Sequence, residues 1–177
     1  LSREQWVAIA RSASWQTVRM NLNTFLRHGV FESREMVHFV AEKLRNEKEI
    51  ARARVFPYQL LVAYASAGEK VPAVVRESLQ DAMEIAIANV PRIEGQVFVC
   101  PDVSGSMSSP VTGHRKGATT AVRCIDVAAL AAAAIVRANP KTEVVPFEQK
   151  VVPIDLNQRD SVMTNAKKLA SIGGGGT

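Results

Sequence analysis

Apolar and polar positions recur along this chain with two different periods, and the change falls near residue 95. Before it, apolar residues return every three or four positions, the spacing that gives a helix one buried stripe. Trp6, Ile9 and Ala10 form the inner face of a first helix, opened by a capping box of Ser2 with Gln5 and closed near Ser12. Val18, Leu22, Phe25 and Leu26 mark a second helix, stopped by Gly29. Ser33 caps a third, with Met36, Val37, Val40 and Leu44 inward. Asn46 interrupts, residues 48–55 make a short turn of helix, and Phe56-Pro57 resets the chain. A helix over 58–67 turns Tyr58, Leu61, Val62 and Ala65 inward and ends at Gly68. Val71-Pro72 opens the longest helix, with Val75, Leu79, Met83, Ile85 and Ala86 inward as far as Val90. Helices of this length with short connections pack as antiparallel neighbours, in a bundle or an α-solenoid, although no sequence repeat is visible.

From Gln96 the pattern becomes strand, helix, strand. Residues 97–101 read as a buried strand, 119–138 as an Ala-rich helix and 142–147 as a second strand, which implies a parallel pair with a right-handed crossover. Residues 151–154 predict a third, short strand, hairpinned through Glu148-Gln149-Lys150. Residues 161–171 are amphipathic, with Val162, Ala166 and Leu169 inward and Lys167 and Lys168 outward. Three strands and two helices make about half of a doubly wound sheet, and a sheet ending on its most apolar strand leaves a sticky edge. The remaining strands are expected from a second chain or from sequence beyond Thr177. The reading is therefore α + α/β, with a helical part over 1–95 and a doubly wound part over 96–177.

Composition adds little to this. With 177 residues, 47% of them hydrophobic, the chain can bury a sizeable core. Its net charge of +5 is spread over both halves, so a polyanionic partner is permitted without being required. Cys100 and Cys124 have neither zinc spacing nor enough company for a disulfide framework, and read as buried reduced thiols of a cytoplasmic protein. No run approaches the roughly 20 apolar residues of a membrane span. A chain that begins at Leu1 is expected to be an excised piece, so a missing signal peptide says nothing.

The chemistry concentrates where the first strand ends. After Val97-Phe98-Val99-Cys100-Pro101 the chain turns to small polar residues, Asp102-Val103-Ser104-Gly105-Ser106-Met107. Alternation in an extended loop can aim Asp102, Ser104 and Ser106 at one point, and one carboxylate with two hydroxyls is a hard oxygen set suited to Mg²⁺ or Mn²⁺. The plainer alternative is a Ser/Gly turn in which Asp102 caps the next helix.

Asp-x-Ser-x-Ser after a hydrophobic strand resembles the metal-ion-dependent adhesion site of von Willebrand factor A domains. In that family a Thr from a later loop and a further Asp complete the shell. Ser171-Ile172-Gly173-Gly174-Gly175-Gly176-Thr177 places Thr177 where the later Thr belongs, and the further Asp has no counterpart in this sequence. A helical module running directly into this motif resembles the Ro autoantigen, or TROVE, family, including its bacterial members. Residues 42–48 (Glu-Lys-Leu-Arg-Asn-Glu-Lys) and 53–61 (Ala-Arg-Val-Phe-Pro-Tyr-Gln-Leu-Leu) look like the last helices of that module. The resemblance implies the end of a ring of HEAT-like repeats followed by the first half of a von Willebrand factor A domain. It also implies an RNA-binding protein rather than an enzyme. The partners it implies are small noncoding Y RNA, the 3′ ends of misfolded RNA and, tethered through RNA in bacterial relatives, an exoribonuclease.

Among the residues themselves, Arg45, Lys48 and Arg52 fall at helical spacing with Arg54 nearby, and can neutralise phosphates. A solvated face balanced by Glu42, Glu47 and Glu49 is the competing reading. His114, Arg115 and Lys116, in the loop after the metal motif, are a further basic cluster beside the expected cation. Trp6, Trp15, Phe25, Phe39 and Tyr58 are read as core rather than as base-stacking platforms, and Arg11, Arg19 and Arg27 as exposed surface. A cation-dependent protein-binding module without RNA is the main alternative function. Catalysis finds little support. An aspartate-nucleophile phosphotransferase needs a second carboxylate where Ser104 stands, and the 173–176 glycine run has no following Lys to make a phosphate loop.

Overall fold

Ser2 starts the first helix in the computed structural model, which describes residues 1–111 and 122–176. Its hydroxyl accepts the Gln5 N–H and the Gln5 side chain accepts the Ser2 N–H, the reciprocal box read from sequence. The chain then forms α1 (Arg3–Ser12), α2 (Trp15–Met20), α3 (Leu22–Arg27), α4 (Arg34–Leu44), α5 (Glu47–Ala53), α6 (Pro57–Ser66) and α7 (Ala73–Ile85). Chain contacts divide it into two compact units, Leu1–Ala86 and Ile87–Thr177.

The helical unit is organised by fully buried Trp15, Phe25, Met36, Leu44, Ile50, Leu60, Leu79 and Met83. Trp15 brings a polar atom into that core and satisfies it: its Nε1–H donates to the Leu44 carbonyl at the end of α4, at 3.0 Å. α7 packs against both α4 and α6.

Three expectations for this unit need correcting. The single helix read over Val18–Leu26 is two short ones, because the Asn21 side chain donates back to the Thr17 carbonyl at 2.8 Å and its backbone leaves helical geometry. α6 buries Pro57 and Leu60, while Tyr58 stays 38% exposed and Ala65 is exposed. A helix apolar nearly all round does not reveal its inner face by periodicity. Arg19, read as surface, is half-buried: its guanidinium lies over the Trp15 ring and donates to the Gln59 carbonyl at 2.7 Å, and burial lowers its pKa.

The second unit contains β1 (Val97–Val99) and β2 (Thr142–Val144), paired parallel in the register Val97 to Thr142, with α8 (Cys124–Ala138) between them in sequence and α9 (Val162–Ala170) after them. α8 and α9 pack closely, burying Ala129, Leu130, Ala133 and Val136 with Val162, Ala166 and Leu169. Asp126 closes the first turn of α8, accepting the Arg123 N–H at 2.8 Å and the Nε–H and Nη2–H of its guanidinium. At its other end buried Asn139 donates to the Pro91 and Ile135 carbonyls and accepts the Ile93 N–H, tying the 91–93 segment to α8.

Here too expectations shift. The third strand reduces to one antiparallel bridge between Phe147 and Val151, because Pro153 has no N–H to continue a ladder. Cys100 is exposed rather than buried, and Cys124 is half-buried. Alternation along the strand puts Cys100 in register with Phe98, itself 60% exposed.

Candidate metal centre

β1 and β2 end at the same rim, as neighbours in a parallel pair must. Beyond the paired residues, Asp102 bridges Phe147, and the Val103 N–H donates to the Phe147 carbonyl at 2.9 Å. Asp102 is thereby fixed at the carboxyl edge, where open α/β sheets meet their ligands. The Ser104 N–H donates to Asp102 Oδ1 at 2.8 Å, a turn closed by the carboxylate two residues back. Residues Gly105–Ser108 then make a turn of 3₁₀-helix that brings the Ser106 hydroxyl to 3.1 Å from that of Ser104. Ser104, not Asp102, occupies the N-cap of that turn, and Arg123 that of α8, so the carboxylate is not a helix cap in this segment.

The donor chemistry suits a small divalent cation. Hydrogen bonds from the Ser104 hydroxyl and amide hold the Asp102 carboxyl below its ordinary range, so it is ionised at neutral pH. Adjacent ligands of an octahedral ion bound at 2.0–2.1 Å lie about 2.9 Å apart, close to the hydroxyl separation seen here. Among the described residues no three His, Cys, Asp or Glu side chains cluster, so the donor set differs in kind from a zinc or carboxylate cage.

A second loop docks on this one. The Gly174 N–H donates to the Val103 carbonyl at 2.9 Å and the Gly105 N–H to the Gly175 carbonyl at 2.7 Å. Gly173 has φ +80°, and a Cβ there would stand 2.2 Å from the Val103 oxygen, so only glycine permits this approach. The two stretches expected to share a site, distant in sequence, are in backbone contact. Thr177, the donor expected from the second, lies outside the described residues, as do His114, Arg115 and Lys116.

Glu148 was not foreseen. Its Oε2 accepts the Gly175 N–H at 2.7 Å. A signal for it existed: it is the first charged residue after the second strand of a parallel pair, and such a residue must emerge at the same rim as Asp102.

The basic residues of the helical unit are placed less simply than their spacing suggested. Arg45 follows α4 and Asn46 caps α5 by accepting the Glu49 N–H, so Arg45 and Lys48 do not share a helix. Arg45 pairs with Glu42 at 3.4 Å and Asp81 at 3.3 Å, joining the end of α4 to α7. Lys48 and Arg52 are exposed one turn apart on α5. Arg54, also exposed, ends that helix in a left-handed conformation with φ 48°.

The family follows from comparison of the sequence with known domains. Residues 17–99 match the TROVE domain and residues 96–177 the Ro60 vWA domain, in the order that the helical unit and the rim motif require. The chain belongs to the Ro (TROVE) family. Its fold is that of the crystal structure of the Deinococcus radiodurans Ro (RSR) protein, with a TM-score of 0.78 over 99% of this chain at 20% identity. This Ro-family chain spans 37% of that protein's length. The match supports the architecture read from sequence, a helical module leading into the start of a von Willebrand factor A domain.

Proposed function

We propose that this chain is part of an RNA-binding ribonucleoprotein of the bacterial Ro type, acting in the cytoplasm on Y RNA and on the 3′ ends of misfolded RNA. In this reading an exoribonuclease is recruited through the RNA, and the chain itself carries out no catalytic step. The observation that carries the reading is the TROVE match over residues 17–99, joined directly to the Ro60 vWA domain. Among the described residues no helix is long and apolar enough to cross a membrane.

On the protein side, Lys48, Arg52 and Arg54 offer exposed charge to phosphates, whereas Arg45 is engaged in ion pairs. His114, Arg115 and Lys116 extend the basic set by sequence. Asp102, Ser104, Ser106 and Thr177 are the proposed holders of Mg²⁺ or Mn²⁺, with a further carboxylate supplied from outside this sequence. The cation would give the rim a fixed positive charge able to accept an anionic oxygen. The remaining strands of the sheet, in this reading, come from a second chain or from further sequence.

Binding to single-stranded RNA, measured by filter retention from low to moderate salt, tests the RNA reading. Replacing Lys48, Arg52 and Arg54 together by Ala is expected to reduce the slope of log K against log salt by about two units, at roughly 0.7 per phosphate contact on a single strand. An unchanged slope removes these residues from the interface. Cation-dependent capture of an acidic protein segment, with no RNA retention at any salt, would install the protein-binding alternative.

A further inference from the structure

We propose that Glu148 is a positioning residue of the rim site, clamping the glycine loop onto the Asp102–Ser106 loop and so fixing how residues 174–176 lie against the motif. A run of four glycines has no side chains with which to hold itself in place, and it loses more backbone freedom on ordering than any other sequence. What holds it is hydrogen bonding. Two bonds are backbone to backbone, from Gly174 N–H to Val103 and from Gly105 N–H to the Gly175 carbonyl. The bond from Gly175 N–H to Glu148 Oε2 is contributed by a side chain, and its acceptor carries charge.

Gly175 is therefore gripped on both sides of its backbone, its carbonyl by the motif loop and its amide by Glu148. The contact is close: a Cβ at position 175 would lie 2.7 Å from Glu148 Oε2 and would push the carboxylate end aside. The carboxylate stands on a firm base. The Glu148 N–H donates to the Lys150 carbonyl at 3.0 Å, and the Val152 N–H donates to the Pro146 carbonyl at 2.8 Å, on either side of the Phe147–Val151 bridge. Three stretches far apart in sequence, 103–105, 148 and 174–175, thus meet at the rim. Thr177 is two residues beyond the clamped amide in sequence. The consequence for the cation rests on the metal reading given above, whereas the clamp itself can be read without metal.

Two variants of the full chain separate the alternatives. Glu148→Ala removes the acceptor, and Glu148→Gln keeps an oxygen for the Gly175 N–H while removing the charge. In cation-free buffer, amide exchange of residues 174–176 is expected to rise about tenfold in the Ala variant, the loss of one charge-assisted hydrogen bond, and by clearly less in the Gln variant, which keeps the bond without its charge. In a Mn²⁺ titration the Ala variant is expected to bind about tenfold more weakly, with the Gln variant unchanged. Unchanged exchange in Glu148→Ala overturns the clamp. Mn²⁺ affinity lost equally in both variants, with exchange rising clearly less in Glu148→Gln than in Glu148→Ala, overturns the positioning role, because the carboxylate would then act through its charge. If wild type and Asp102→Ala both fail to bind Mn²⁺, the cation reading falls and the role at the site with it, while the exchange measurement still decides the clamp.

Discussion

Gly173 shows how much of the rim depends on a missing side chain. At φ +80° a non-glycine residue is strained, and the Val103 carbonyl occupies the place where its Cβ would go. Gly173→Ala is expected to destabilise the second unit by about 2 kcal/mol and to free the glycine loop from the motif loop. Thermal unfolding with amide exchange at residues 174–176 checks both, and a variant that melts and exchanges like wild type would show that the loop does not need this contact. At this scale the sequence said more about the motif than about its support. Asp102, Ser104 and Ser106 announced themselves by chemistry and spacing after an apolar strand. Glu148 carried a fainter sign, its place just after the second strand of the expected parallel pair, which brings it to the same rim as Asp102 but does not reveal the Gly175 amide it accepts. Arg45 erred the other way: a basic residue at helical spacing looked available, and only the packing of α4 against α7 brings Asp81 within reach.

Elements were legible where local chemistry decides them. The Ser2–Gln5 box and the buried Val162, Ala166 and Leu169 stripe of α9 stand as read, because capping and amphipathic period act within a few residues. They were misread where long-range packing or a single side chain decides. Asn21 breaks a helix that its apolar neighbours would continue, and Pro153 denies the third strand its ladder. Asn139 belongs to this class. It ends α8, accepts the Ile93 N–H at 2.7 Å, donates to the Pro91 carbonyl at 3.2 Å, and offers its own carbonyl to Thr142 at the start of β2. One buried residue therefore sets the approach to β1 through its side-chain amide and the start of β2 through its main-chain carbonyl. Asn139→Ala leaves the Ile93 N–H without its partner and is expected to cost about 2 kcal/mol, read in chemical denaturation. A loss within a few tenths of a kcal/mol would mean that water replaces the amide without penalty.

For the whole molecule, the two units have separate cores and the rim donors Asp102, Ser104 and Ser106 all belong to the second. A cation bound there stabilises the folded form of that unit by mass action, about 2.7 kcal/mol when it is present at a hundred times its dissociation constant. No donor of the proposed set lies in Leu1–Ala86, so that unit's core gains nothing directly from the ion. Hydrogen exchange resolved by peptide is the fitting measurement, because a single melting curve mixes the two. Mg²⁺ is expected to slow exchange in β1, α8 and the glycine loop of wild type, and to leave the Trp15–Leu44 core of the helical unit at its cation-free rate. Asp102→Ala and Ser104→Ala are each expected to abolish the effect in the second unit while the helical unit exchanges as before. In the proposed site Asp102 would supply the negative charge that Mg²⁺ requires, and Ser104 a hydroxyl beside it. Mg²⁺-dependent protection that survives in both variants would mean that the ion sits elsewhere, and that the convergence of Asp102, Ser104 and Ser106 serves the turn alone.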